Sequence, residues 1–121
     1  MITSADGLQW HKASTGTTQN LNQIIHTNTG LVVVGNNGTI LTSTNGESWS
    51  SQTSGTNQHL QQVIWGNNHF LAVGYQGAII ISEDGRTWTA KHSESSQNLK
   101  RVVWDGTQYI AIGALGTILT S

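Results

Sequence analysis

The chain has 121 residues, which suits one small domain. Only 9% of the residues are charged and the formal net charge is −1, so the sequence carries no electrostatic footprint for nucleic acid or for an anionic membrane. The absence of cysteine excludes disulfides and thiolate metal sites. Neither a signal peptide nor a membrane-spanning apolar run is visible, and the compartment stays open.

Identical residues recur with a period of 39 positions, which divides the chain into repeats at 4–42, 43–81 and 82–120. Eight columns are identical in all three repeats. Named by their first members, they are Ser4, Gly7, Trp10, Gln19, Leu21, Gly35, Gly38 and Ile40. A period near 40 with short apolar runs is typical of an array of stacked units that cannot bury their faces alone.

Each repeat predicts four short strands, rich in Val, Ile, Leu and aromatic residues and separated by Gly, Asn and Ser. The first strands are 21–26, 60–65 and 99–104; the second 31–34, 70–73 and 109–112; the third 39–43, 78–82 and 117–121. The fourth strands surround Trp10, Trp49 and Trp88. Four antiparallel strands in 39 residues describe a blade of a β-propeller, so we expect an all-β chain of three such blades in a single segment over 1–121.

The turns between second and third strands are tight and flanked by glycine. Asn36 and Asn37 suit the positive φ angles of a two-residue hairpin. At the equivalent turns around Gln76 and Leu115 we expect glycine to take the left-handed positions.

The turn between third and fourth strands has a recurring Ser-x-Asp/Asn-Gly-x-x-Trp pattern. Its copies are Ser4, Asp6, Gly7 and Trp10; Ser43, Asn45, Gly46 and Trp49; Ser82, Asp84, Gly85 and Trp88. The pattern resembles the Asp-box, or bacterial neuraminidase repeat, and is similar to the short form in propellers of the photosystem-assembly-factor type. Asp or Asn can accept backbone N–H groups within such a turn, glycine supplies a left-handed step and tryptophan packs on the sheet. The resemblance implies a propeller with these boxes at the blade periphery, away from any active centre.

The resemblance raises the question of a glycosidase. Family sialidases use an arginine triad, a Tyr–Glu nucleophile pair and an acidic residue, whereas this chain has only Arg86 and Arg101 as arginines. Four of the six acidic residues lie in box turns, which leaves few for a catalytic pair. The five histidines occupy five different repeat columns without the spacing of a metal site. We therefore predict no enzyme, cofactor or metal, with a residual glycosidase as the remote alternative.

One end of the array is the place where propellers commonly bind ligands. Links between blades and the turns between second and third strands share that end, and the candidate ligand-binding residues there are Asn36, Asn37, His59, Tyr75 and Gln76. Neutral hydrogen-bonding groups with an occasional aromatic are compatible with a glycan and with lectin-like multivalent binding. The alternative is that these polar loops merely keep the array soluble.

Three blades do not close a ring, and two apolar blade faces would stay open. We expect the N-terminal strand near Trp10 to complete the blade that ends at 117–121 in another copy, so the partner is the chain itself. A homodimer with six blades is favoured and a homotrimer with nine is possible, with Met1–Thr3 frayed or displaced at the junction. The predicted function is a non-catalytic, self-assembling scaffold or binding module, either natural or an engineered or excised fragment of a longer propeller.

Overall fold

The computed structural model describes all 121 residues as thirteen strands in four antiparallel sheets without an α-helix, which confirms the predicted all-β class. Sheet I contains β1 (Ile2–Thr3) and β2 (His11–Lys12). Sheet II contains β3 (Leu21–Thr27), β4 (Gly30–Gly35), β5 (Ile40–Ser43) and β6 (Ser50–Gln52). Sheet III contains β7 (Leu60–Gly66), β8 (His69–Gly74), β9 (Ile79–Ser82) and β10 (Thr89–Lys91). Sheet IV contains β11 (Leu99–Trp104), β12 (Tyr109–Gly113) and β13 (Ile118–Thr120).

Within each sheet the strands follow one another in chain order, and the pairing repeats with the 39-residue period. Leu21 faces Gly35 in sheet II, and the equivalent leucine–glycine pairs recur in sheets III and IV. Each pairing has the same register shift immediately after the leucine, which marks a bulge in the first strand. The sequence period is therefore a period of backbone geometry. The tryptophans lie just before the fourth strands rather than within them.

The core consists of two layers of apolar side chains between successive sheets. One layer joins sheets II and III and includes Val34, Leu60 and Phe70; the other joins sheets III and IV and includes Val73 and Leu99. Inner strands such as β8 are buried on both sides, which is why they are continuous apolar runs rather than alternating ones.

The turns between second and third strands are single 3-10 turns at 36–38, 75–77 and 114–116, and two predictions about them were wrong. Asn36 does not adopt the positive φ expected of a two-residue hairpin; of the two asparagines only Asn37 does, at φ 55°. Glycine does take a left-handed φ near 72° in each, but Gln76 and Leu115 also adopt φ 55°. The first glycine of each turn is instead extended. It must be glycine for space, since a Cβ at Gly74 would lie 2.0 Å from the His59 carbonyl oxygen.

The two ends of the array differ from its middle. On the outer face of sheet IV, Ile118 is 68% exposed, whereas its counterpart Ile40 in sheet II is fully buried. At the other end, sheet I lies beside the outer face of sheet II across a cleft that Ile2, Ile24 and Val33 line. In the single chain β1 pairs with β2, so the fraying of Met1–Thr3 expected at a junction stays a prediction.

Candidate functional site

The three Ser-x-Asp/Asn-Gly-x-x-Trp turns form the same hydrogen-bond network. In the third copy the Asp84 Oδ1 atom accepts the backbone N–H groups of Arg86 at 2.8 Å and Thr87 at 2.9 Å. The Gly85 N–H donates to Ser82 Oγ at 2.8 Å, and the Trp88 indole N–H donates to the Gly85 carbonyl at 2.8 Å. The turn thus fixes Trp88 beside Phe70 of its own sheet, in the apolar layer between sheets II and III.

The acidic side chains of these turns are engaged with their own backbone. The N–H groups of Gln9 and Leu8 hold the pKa of Asp6 below its ordinary value, and the N–H groups of Thr87 and Arg86 do the same to the pKa of Asp84. At the second turn the neutral Asn45 accepts two backbone N–H groups in the same way. Because an amide replaces the carboxylate there, the shared role is turn formation and needs no charge.

The candidate ligand-binding residues lie together at one end of the array, around two successive 3-10 turns. The Asn37 backbone N–H donates to His59 Nδ1 at 3.0 Å, and the Asn37 amide donates to Gln19 Oε1 at 2.7 Å. The His59 and Tyr75 rings meet edge to face, with their centroids 5.1 Å apart. The Gln76 side chain is exposed beside them.

The bond at His59 has a structural counterpart that sequence reasoning missed. Asn98, one repeat later, accepts the Gln76 backbone N–H through Oδ1 at 2.9 Å. In each case the side chain just before a first strand holds the 3-10 turn of the preceding sheet. The available signal was that this column carries a hydrogen-bonding side chain in every repeat, namely Asn20, His59 and Asn98.

A cavity of about 290 Å³ lies between sheets III and IV, and the sequence did not predict it. Its apolar lining residues are Leu71, Val73, Ile79, Ile81, Val102, Tyr109, Ala111 and Leu119. The Tyr109 hydroxyl donates to the Gly66 carbonyl at 2.6 Å, and burial raises the pKa of Tyr109. Lys91, His92, Ser93, Thr120 and Ser121 complete the lining, so the cavity is mainly apolar with polar residues along part of its wall.

The equivalent space between sheets II and III is filled by Trp88, whose ring lies 6.1 Å from that of Phe70. Shifting the cavity lining by one period gives the residues around Trp88: Tyr109 corresponds to Phe70, Ala111 to Ala72 and Leu119 to Ile80. The cavity thus has the lining of a tryptophan site with no tryptophan from the same chain in it.

Other chemistry is sparse. No group of three or more His, Asp or Glu side chains is placed to hold a metal ion. Arg86 is exposed in the turn between β9 and β10, and Arg101 is exposed on β11, where its guanidinium donates to the carbonyl of Lys100 at 2.8 Å. The structure has no helix with the length and apolar character to cross a bilayer.

Comparisons with family models, curated proteins and solved structures returned no match to this chain.

Proposed function

We propose that this chain is a non-catalytic, self-associating β-propeller whose sheets act as blades and whose ring is completed by further copies. Three features support the proposal: the four-stranded meander of sheets II and III, the face-to-face packing of successive sheets, and the repetition of both with one period. The Asp-box resemblance supports it independently.

The observation that carries the proposal is the exposed apolar face of sheet IV. Ile112 is 48% exposed there, whereas its counterparts Val34 and Val73 are completely buried between sheets. Ile118 and Val103 continue the same face. A contiguous apolar face on a sheet whose last strand, β13, has only one partner favours association with another apolar face and another strand.

The matching surface is the outer face of sheet II on a second copy. Ile24 is 51% exposed on that face, although its counterpart Val63 is completely buried. The contact joins two different surfaces, so repeating it generates a ring when the rotation closes. Two copies supply six blades and three copies supply nine; we propose two.

Native mass spectrometry and sedimentation velocity test this proposal on the intact chain at micromolar concentration. The expected species has twice the chain mass of 13.0 kDa. A mass of three chains would indicate a ring of nine blades instead of six. A single-chain mass across the whole concentration range would refute self-association.

The cluster at the turn end supports a second candidate, which is binding of a neutral glycan by the assembled ring. An aromatic side chain, Tyr75, lies there beside His59 and the exposed amide of Gln76. A glycan array with assembled protein tests it, with Tyr75→Ala as the variant that should lose any signal. An array without signal, or a signal that Tyr75→Ala leaves unchanged, would count against this candidate.

A further inference from the structure

We infer that the cavity between sheets III and IV is a socket for the Trp10 side chain of a second copy, an inference that rests on the proposed self-association. Trp10 occupies the repeat column of Trp88, yet it is 55% exposed whereas Trp88 is only 8% exposed. The cavity lies where a tryptophan of that column belongs on sheet IV. Trp10 therefore has no buried site within its own chain, and the cavity between sheets III and IV is the site of its repeat column without a tryptophan.

The Trp10 turn is already folded for insertion. The Trp10 indole N–H donates to the Gly7 carbonyl at 3.2 Å, as Trp88 does to Gly85 in the inner turn. The Asp6 Oδ1 atom accepts the N–H groups of Leu8 and Gln9 at 2.8 and 3.0 Å. Because the conformation of this turn exists before contact, docking does not have to order the turn itself.

A second observation places the linker after Trp10 on sheet IV. A Cβ at Gly38 would lie 1.9 Å from the carbonyl oxygen of Thr56, and a Cβ at Gly77 would lie 1.9 Å from that of Ser95, because the next linker crosses each glycine. Gly116 has the same φ of about 72° but nothing within 4 Å of its Cβ position. Thr17 is the residue that shares a repeat column with Thr56 and Ser95, so the carbonyl of Thr17 in a second copy would lie over Gly116.

The linker carrying Thr17 has the shape needed for that place. Thr15 Oγ1 donates to the Thr17 carbonyl at 3.2 Å, as Ser54 Oγ does to the Thr56 carbonyl at 3.0 Å. This chain thus contains both Gly116 and the Thr15–Thr17 linker turn, but the two are not in contact within one copy.

A third observation concerns the turn before Gly116. The N–H groups of Asn37 and Gln76 donate to His59 and Asn98, as described above. The backbone N–H of Leu115 has no such acceptor in the single chain. The residue that shares the repeat column of His59 and Asn98 is Asn20, whose side chain is exposed and carries the same amide acceptor as Asn98. In the proposed junction, Asn20 of the second copy accepts the Leu115 N–H.

Strand β1 occupies the position that β13 of a partner copy takes in this junction. In the single chain Ile2 pairs with Lys12, and Thr3 pairs with His11. In sheet II the third strand pairs with the fourth in a register whose repeat equivalents place Leu119 opposite Lys12 and Thr120 opposite His11. Docking therefore exchanges β1 for β13 along β2. β1 acts as an intramolecular competitor, and its displacement is the step that opens the junction.

The decisive comparison is Trp10→Ala against Leu8→Ala, both in the full chain. Leu8 is 83% exposed in the same turn and occupies a column with polar counterparts, so its removal leaves the socket contact intact. We expect Trp10→Ala to weaken each junction about 30-fold or more, as for the removal of a buried aromatic anchor. Leu8→Ala should keep the wild-type dissociation constant in sedimentation equilibrium.

A complementation experiment tests the socket from its other side. Ala111→Leu fills the cavity while Trp10 stays intact, and Trp10→Ala leaves the cavity open. Each variant alone should be monomeric by native mass spectrometry, and their mixture should form a one-to-one complex through the single intact junction. Far-ultraviolet circular dichroism confirms that both variants are folded.

The outcomes separate this inference from the proposed function. A wild-type chain that never associates overturns both. A wild-type chain that associates while Trp10→Ala associates equally well overturns the socket and leaves self-association standing. Association of Ala111→Leu with undiminished affinity would likewise exclude insertion at this cavity.

Discussion

Replacing Arg101 with glutamine should strengthen the junction between copies. In sheets II and III, Gln23 and Gln62 each accept a backbone N–H of the following sheet through Oε1, at 2.5 and 2.6 Å. Arg101 holds the same column in sheet IV, where in the proposed ring the following sheet would be supplied by a second copy. A guanidinium has five donors and no acceptor, so it cannot take the equivalent N–H, which belongs to Ile24 of that copy.

The size of the effect follows from the contact that is restored. A net hydrogen bond contributes about 1 kcal/mol, and a two-copy ring contains two such junctions, so Arg101→Gln should lower the dissociation constant ~30-fold. Sedimentation equilibrium or mass photometry on dilution measures it. Arg86→Gln is the matched control, because it removes the same charge at an exposed turn away from the junction. Unchanged or weaker association of Arg101→Gln, or equal strengthening by Arg86→Gln, would refute the reasoning.

Three further predictions concern the single chain and are read by chemical denaturation. Trp88→Ala should lower the free energy of unfolding by about 3–5 kcal/mol because the ring is buried, whereas Trp10→Ala should cost a monomeric chain at most about 0.5 kcal/mol. Gly77→Ala and Gly116→Ala share the same φ and hence a strain of about 1–2 kcal/mol, but only the first clashes with a linker and should cost more. The folded pKa of Asp84 lies below its ordinary value of 3.8, so its stabilisation is present above that value and is lost as pH falls through the folded pKa. Asp84→Asn should therefore lose less stability than the wild type between pH 5 and about pH 2, measured by urea unfolding, and an identical decline would contradict this assignment.

The sequence predicted the parts of the structure that depend on neighbours along the chain. Strand positions followed from apolar runs, and the Ser82-to-Trp88 turn followed from residues within hydrogen-bonding reach of each other. The role of His59 was not predictable, since its partner Asn37 lies 22 residues away in another sheet. The left-handed φ of Gln76 was missed for the same reason: the bond that supports it comes from the next repeat.

The cavity was also beyond sequence reasoning, although its residues were placed on the right strands. Apolar runs indicate that a strand is buried but not which neighbour covers it, and Ile112 and Val73 look alike in sequence while only one is covered. What distinguishes them is the position of their sheet in the stack. Trp88 fills the equivalent space between sheets II and III, whereas the space between sheets III and IV holds no tryptophan of this chain.

In the proposed ring, assembly and any ligand binding at the turn end would be coupled through the linkers. The exposed residues with φ near 55° at that end are Asn37, Gln76 and Leu115, which differ in side chain while their backbone is shared. A left-handed φ is strained for such residues, and at the first two turns a side chain of the next linker accepts the N–H of the strained residue. His59 and Asn98 of the same chain hold the first two turns, and in the proposed ring Asn20 of a second copy would hold the third. A ligand that contacts all three turns would therefore bind the ring more tightly than the single chain, and by linkage it would stabilise the ring.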